Sequence, residues 1–139
     1  MSILRRGKDK YGSYEITVED SILIVSVKGA FGEGLVNNYT RDLTTTIDSI
    51  SHKKWGYLAY ALELEALTNQ GFDYLKTSFA YSVANNCIAD AYCVTSPLAI
   101  AQIDKIRQLF DLHSPVEERL FNDLASAKQF LHEQLEQFS

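Results

Sequence analysis

Only two cysteines, two prolines and three histidines occur among the 139 residues. Cys87 and Cys93 are six positions apart, with no Cys-x-x-Cys spacing, and His52, His113 and His132 are scattered with no His-x-x-x-His. The sequence therefore offers no zinc-ligand pattern and no disulfide framework. The cysteines read as small core residues. No apolar run approaches the ~18 residues of a membrane span; the longest, "ILIVSV", is strand-sized. The opening "MSILRRGKDK" carries charge with no apolar stretch behind it, unlike a secretory signal. These absences together point to a cytoplasmic protein. Hydrophobic content of 46% separates the chain from disordered ones. Its length suits one domain that buries about two-thirds of its unfolded surface without a metal or disulfide.

Positive charge is also scarce, and it is unevenly placed. The net charge is −5. Arg5, Arg6, Lys8 and Lys10 stand against Asp9 alone in residues 1–13, so the whole acidic excess lies in residues 14–139. An acidic body repels phosphate backbones, so no nucleic-acid partner is expected. The basic head is expected to be a solvated, frayed tail, leaving 14–139 as the single domain.

What is present is a regular change of period. "SYEITVED" alternates Tyr14, Ile16 and Val18 against polar residues, and "SILIVSVKG" follows after a tight turn, which predicts an antiparallel hairpin. From Gly34, Val36, Tyr39, Leu43, Ile47 and Ile50 recur at three and four, one face of a helix. "WGYLAYALEL" alternates again, a third strand running to Leu64. From Phe72, the positions Phe72, Leu75, Phe79, Val83 and Cys87 predict the buried stripe of a second helix. "ADAYCVTS" is a fourth strand. Ser96 caps a third helix, Pro97 suits its first turn, and Ile100, Ile103, Ile106 and Phe110 form its inner face. "RLF" is a short fifth strand, and Asn122 or Asp123 caps a last helix carrying Leu124, Ala127, Leu131 and Leu135. The order is ββαβαβαβα. It predicts an α/β domain: a mixed, mostly parallel sheet of four to five strands with an antiparallel N-terminal hairpin and four helices.

Catalytic constellations are weak. "GAFGEG" has the glycine order G-x-x-G-x-G, not the dinucleotide fingerprint, and it follows a hairpin strand, so its glycines read as turn residues. Glu117 and Glu118 are adjacent and would face opposite ways on a strand. Glu63 and Glu65 share a face if the third strand extends that far, and charged residues leaving a strand for solvent explain them. Cys87 has no base beside it in sequence. No catalytic residue, metal or cofactor is expected.

The tail "KIRQLFDLHSPVEERLFNDLASAKQFL" resembles the ending of STAS domains, the fold of bacterial anti-sigma factor antagonists. "ILIVSVKGAFGEG" is similar to their second strand with its glycine exit. "WGYLAYALELEALTNQGFDYLK" is similar to their central strand, which enters a helix through a glycine. The resemblance spans residues 14–137 and extends in fold to lipid-carrying Sec14 domains. In the signalling members the joint reads Asp-Ser-Ser-Gly, and the serine directly before glycine is phosphorylated by a partner kinase. Aligned on Gly71, this chain has Gln70 at the acceptor, Asn69 at the other serine and Thr68 at the aspartate. Gln70 cannot be phosphorylated, so the ordinary phosphoswitch is absent. Thr68 reads as a helix cap.

The resemblance implies a non-catalytic interaction module that binds a protein partner or a second copy. The candidate contact residues are Thr68, Asn69, Gln70 and Gly71 at the joint, with Tyr74 and Tyr81 on the helix behind it, since tyrosine is favoured at interfaces. The alternative is a carrier or sensor of a small apolar ligand, suggested by the aromatic load of eight Tyr, seven Phe and one Trp.

Overall fold

The computed structural model describes residues 3–30, 32–110 and 114–138. Phe31 of the glycine-rich stretch and His113 lie outside the described residues. Among the described residues, five strands form one sheet in the order β1-β2-β3-β4-β5. Strands β1 (Ile3–Lys8), β2 (Gly12–Glu19) and β3 (Ile22–Gly29) pair antiparallel, while β4 (Trp55–Tyr60) and β5 (Cys87–Cys93) continue the sheet in parallel. Four α-helices connect and cover it: α1 (Glu33–Ile50), α2 (Asn69–Ala84), α3 (Pro97–Leu109) and α4 (Leu124–Phe138). The mixed α/β architecture matches the expected one. From β2 onward the order is also the expected one, with its last strand reduced to a single bridge between Leu120 and Tyr92. A short 3-10 turn over Val116–Arg119 precedes that bridge.

The first strand corrects the sequence reading. Residues 3–8 are not a frayed tail but an edge strand, in unbroken register with Ser13–Val18. Charge hid it: Arg5, Arg6 and Lys8 suit an edge, where polar side chains reach water on one side. The β2–β3 hairpin turns through Asp20 and Ser21, both at positive φ (49° and 69°), the two-residue geometry that matches strand twist. Gly29 closes the far end with φ of 73°. A Cβ there would meet the Tyr11 carbonyl oxygen at 2.2 Å, so only glycine fits.

Helices on both faces explain why Ile22–Val25, the first half of β3, is apolar on both sides. Leu23 and Val25 face a large core with Tyr14, Ile16 and Val18 of β2, Leu43, Ile47 and Ile50 of α1, and Ala99 and Ile103 of α3. Ile22 and Ile24 face a smaller core with Leu58, Ala89, Ala91 and Cys93, covered by Ala127 and Leu131 of α4. The small residues on this second face let α4 approach closely: a Cβ on Gly56 would stand 3.3 Å from Leu131 Cδ2. Asp123 caps α4 by accepting from the Ser126 N–H at 2.7 Å, which holds its carboxyl below the usual range.

The boundaries of β4 and α2 also differ from the sequence reading. Strand β4 stops at Tyr60. The Ala61 N–H still donates to the Cys93 carbonyl at 3.0 Å, and the Leu64 N–H then turns back onto the Ala61 carbonyl at 3.1 Å. Leu62 and Glu63 therefore sit in a turn, and Glu63 shares no strand face with Glu65. Helix α2 starts at Asn69 and ends at Ala84. Asn86, at φ of 75°, ends the helical path, so Cys87 opens β5 instead of closing the helix. Val83, expected in the buried stripe, is 43% exposed.

Candidate partner-binding site

The segment from Ala61 to Thr68 crosses from the carboxyl end of β4 to the start of α2, and side chains from the next crossover hold it. The Ser96 hydroxyl donates to the Glu65 carbonyl. The Gln102 side-chain amide accepts from the Leu67 N–H at 2.8 Å and donates to the Leu67 carbonyl at 3.0 Å. This two-way bond copies what a neighbouring strand would supply, and it satisfies backbone groups that regular structure does not reach. Sequence reasoning assigned Ser96 only as the cap of α3, where it accepts from the Ala99 N–H at 3.4 Å. Gln102 was missed altogether, since its partner lies 35 positions away.

Thr68 then caps α2: its Oγ1 accepts from the Gly71 N–H at 3.0 Å, and its carbonyl accepts from Phe72 at 2.8 Å. Gly71 sits close behind the cap, where a Cβ would come within 3.3 Å of Thr68 Oγ1. Thr68, Asn69 and Gln70 are exposed, and no acidic side chain lies in the first turn. The helix presents its positive dipole end to solvent beside two neutral amides.

Behind the joint lie the two tyrosines of α2, Tyr74 and Tyr81. Both are half-buried. Tyr81 packs against the larger core and donates its hydroxyl to Asp48 of α1, an interaction that pushes its pKa up. It ties α2 to α1. Phe72 lies under Lys105 of α3, whose Nζ is 5.8 Å from the ring centre, and Phe79 meets Phe110 with ring centres 5.4 Å apart. Leu98, on the first turn of α3, is 59% exposed. It precedes Gln102 by one helical turn and so shares the face that meets the joint.

Most of the remaining aromatic load is in the core. Tyr14, Tyr57 and Tyr92 are buried. Tyr14 donates to Asp42 at 2.6 Å, and burial with that carboxylate pushes its pKa up to about 12. Tyr57 and Tyr92 meet edge-on at 6.2 Å, and Tyr92 donates to Asp90 at 2.7 Å. Asp90 in turn holds Arg107 of α3 at 2.7 Å, with Arg119 at 3.7 Å. Arg107 also donates to the Ser114 carbonyl at 2.6 Å. This buried cluster ties α3 and Ser114 to β5. An acid inside "ADAYC" and an arginine next to Ile106 were its sequence signals, because a buried charge requires a partner.

The thiols are inert in this setting. Burial, aided by Asp90, pushes Cys87 up to about 12, and burial with Asp123 pushes Cys93 up to about 11. Neither supplies a thiolate near neutral pH. The described surface includes two shallow hollows. One, of about 470 Å³, lies among Asp20, Lys53, Lys54, His132 and Glu136. The other, of about 310 Å³, lies at the β1–β2 turn among Lys8, Lys10, Tyr11 and Lys28. Among the described residues no helix is long and apolar enough to cross a membrane, and no three His, Cys, Asp or Glu side chains gather as a metal site.

Searches against family models and against curated proteins give no match. Among solved structures, the chain is similar to an anti-sigma factor antagonist from Mycobacterium paratuberculosis, with a TM-score of 0.57 over 86% of this chain and 92% of that one, at 14% identity. At that identity the likeness is one of backbone architecture, and the chain has a STAS-like fold.

Proposed function

We propose that this protein is a non-catalytic STAS-like regulatory module that binds a protein partner through the joint at residues 66–72 and the outer side of α2, without a serine phosphoswitch. The observation that carries the reading is the exposed first turn of α2 at the carboxyl end of β4, in a fold similar to that of an anti-sigma factor antagonist. Carboxyl ends of strands are where open α/β sheets gather ligands. Thr68, Asn69, Gln70 and Tyr74 form the contact surface, Gly71 keeps the cap compact, and Tyr81 braces the helix from behind. The Thr68 hydroxyl already serves the Gly71 N–H, and Gln70 offers no hydroxyl, so the joint is read unmodified. The aromatic load that suggests an apolar ligand is largely taken up in core packing, which favours the protein-partner reading.

The test pairs a variant with a modification map. Gln70→Arg with Tyr74→Ala is expected to keep the melting temperature within a few degrees and to weaken partner capture, or self-association, by about 2 kcal/mol. Phosphopeptide mapping of protein from growing cells is expected to give no phosphate across 68–72. Stoichiometric phosphate on Thr68, or unchanged capture by the folded variant, would refute the proposal.

A further inference from the structure

Strands β1 and β5 end the sheet; β5 takes a bridge from Leu120 on its outer side and is packed by α4 and α2, which leaves β1 as the less covered edge. β1 pairs with β2 along its whole length, and among the described residues nothing pairs with its other side. Its six residues contain no proline, and its register with β2 is unbroken. Helix α1 supports it from one face, where Arg5 Nε donates to Thr46 Oγ1 at 3.1 Å. Leu4, Arg6 and Lys8 are exposed on the other. Helix α4 packs over β3, β4 and β5, which leaves that face of β1 in solvent.

The charge along this edge is of one sign and mostly uncommitted. Arg6 reaches Glu15 only at 3.9 Å, with both side chains more than half exposed, a pairing that water screens. Lys8, Lys10 and Lys28 form no ion pair among the described residues, and all three line the hollow at the β1–β2 turn. The one acid there, Asp9, uses Oδ1 to accept from the Tyr11 and Gly12 N–H groups at 2.8 and 2.9 Å. The rest of the chain carries the acidic excess.

An open edge recruits a strand through backbone N–H and C=O groups, and side chains decide which strand. A second β1 would set Arg5, Arg6 and Lys8 against their own copies, and like charges opposite each other are destabilising. An acidic strand meets the same cations favourably. From the open edge and its uncommitted cations, we propose that β1 accepts an acidic extended segment of a partner protein as a sixth strand, with Leu4 as the apolar contact and Arg6 and Lys8 reading its carboxylates. This surface lies at the opposite edge of the sheet from β5, against which α2 packs, so it is separate from the joint.

The probe is an end-blocked octapeptide of alternating Glu and Val, titrated into the full chain and followed by backbone amide shifts and amide exchange. Its lysine counterpart serves as the control. The expected result is shifts and slowed exchange confined to residues 3–8 and the adjoining turn, and binding that weakens with salt. Arg6→Gln with Lys8→Gln is expected to weaken binding by about tenfold or more. If the double variant folds poorly, the acidic and lysine peptides titrated into the unmodified protein make the same distinction. Failure of the acidic peptide to bind would overturn the proposal, as would equal binding of the lysine peptide or shifts that map to α2. Self-association through β1 in the absence of peptide, or stronger binding to phosphatidylserine vesicles or to a thymidine dodecamer than to the peptide, would replace the proposed occupant with another and equally refute it.

Discussion

Helices α1 and α2 cover the same face of the sheet, yet they are bound to it unequally. Helix α1 buries Leu35, Leu43, Thr46, Ile47 and Ile50. Helix α2, nearly as long, buries only Phe79 and Ser82 and leaves Val83 exposed. The difference follows from position. Helix α1 packs on β1 and β2 and borders α2, whereas α2 reaches β5 and meets α3 at its flank. Apolar area removed from water sets how tightly an element is held, at about 25 cal/mol per Å². Helix α1 is therefore the more firmly held of the two, and α2 keeps more of its surface in solvent. The contrast also separates the two cysteines. Cys87 packs in the core that α1, α2 and α3 share, and Cys93 lies in the core under α4.

The contrast breaks first, and most, at Ile47. Ile47 is 1% exposed, and Ile47→Ala is expected to destabilise by about 2–5 kcal/mol, as large-to-small core changes do. Chemical denaturation measures it; a loss below about 1 kcal/mol would make α1 as peripheral as α2. The thiols sharpen the comparison next. With pKa values raised to about 12 and 11, both are protonated at pH 8 in the folded state; Cys93 is buried and Cys87 half-buried, so labelling depends on opening most strongly at Cys93. Weaker packing of α2 predicts that Cys87 reacts at least about tenfold faster than Cys93, equivalent to about 1.4 kcal/mol in opening free energy. Equal rates by mass spectrometry of labelled peptides would mean that both sides open together. The smallest effect is at the cap. Thr68→Ala removes the acceptor of the Gly71 N–H and is expected to cost about 1 kcal/mol, with the loss seen as faster amide exchange at residues 69–72.

The same contrast marks what was legible in the sequence. Strong periods survive translation: the alternation Tyr14, Ile16, Val18 and the helical stripe Leu43, Ile47, Ile50 appear as buried faces. The α2 stripe was partly misread because a half-buried helix does not enforce its period. Val83 is exposed, and Cys87 belongs to the next strand. Strand β1 escaped because edge strands carry charge where inner strands carry apolar residues. At the joint, the Thr68 cap was readable from a hydroxyl ahead of a helix. The Gln102 amide that clamps Leu67 was not, because nothing local to residue 102 announces a backbone partner in another crossover. The Asp90–Arg107 pair left only the trace of charges at buried positions, with no hint of which charge meets which.

The claim that the joint face is a protein-binding surface rests on what touches residue 70 in the cell. A photo-crosslinking amino acid placed at Gln70, and in a second protein at Gln129 on the outer side of α4, tests it in the producing organism. One discrete protein adduct is expected from position 70, carrying no phosphate at the joint, and none from position 129. Adducts of equal yield from both positions, or none from either, would contradict it.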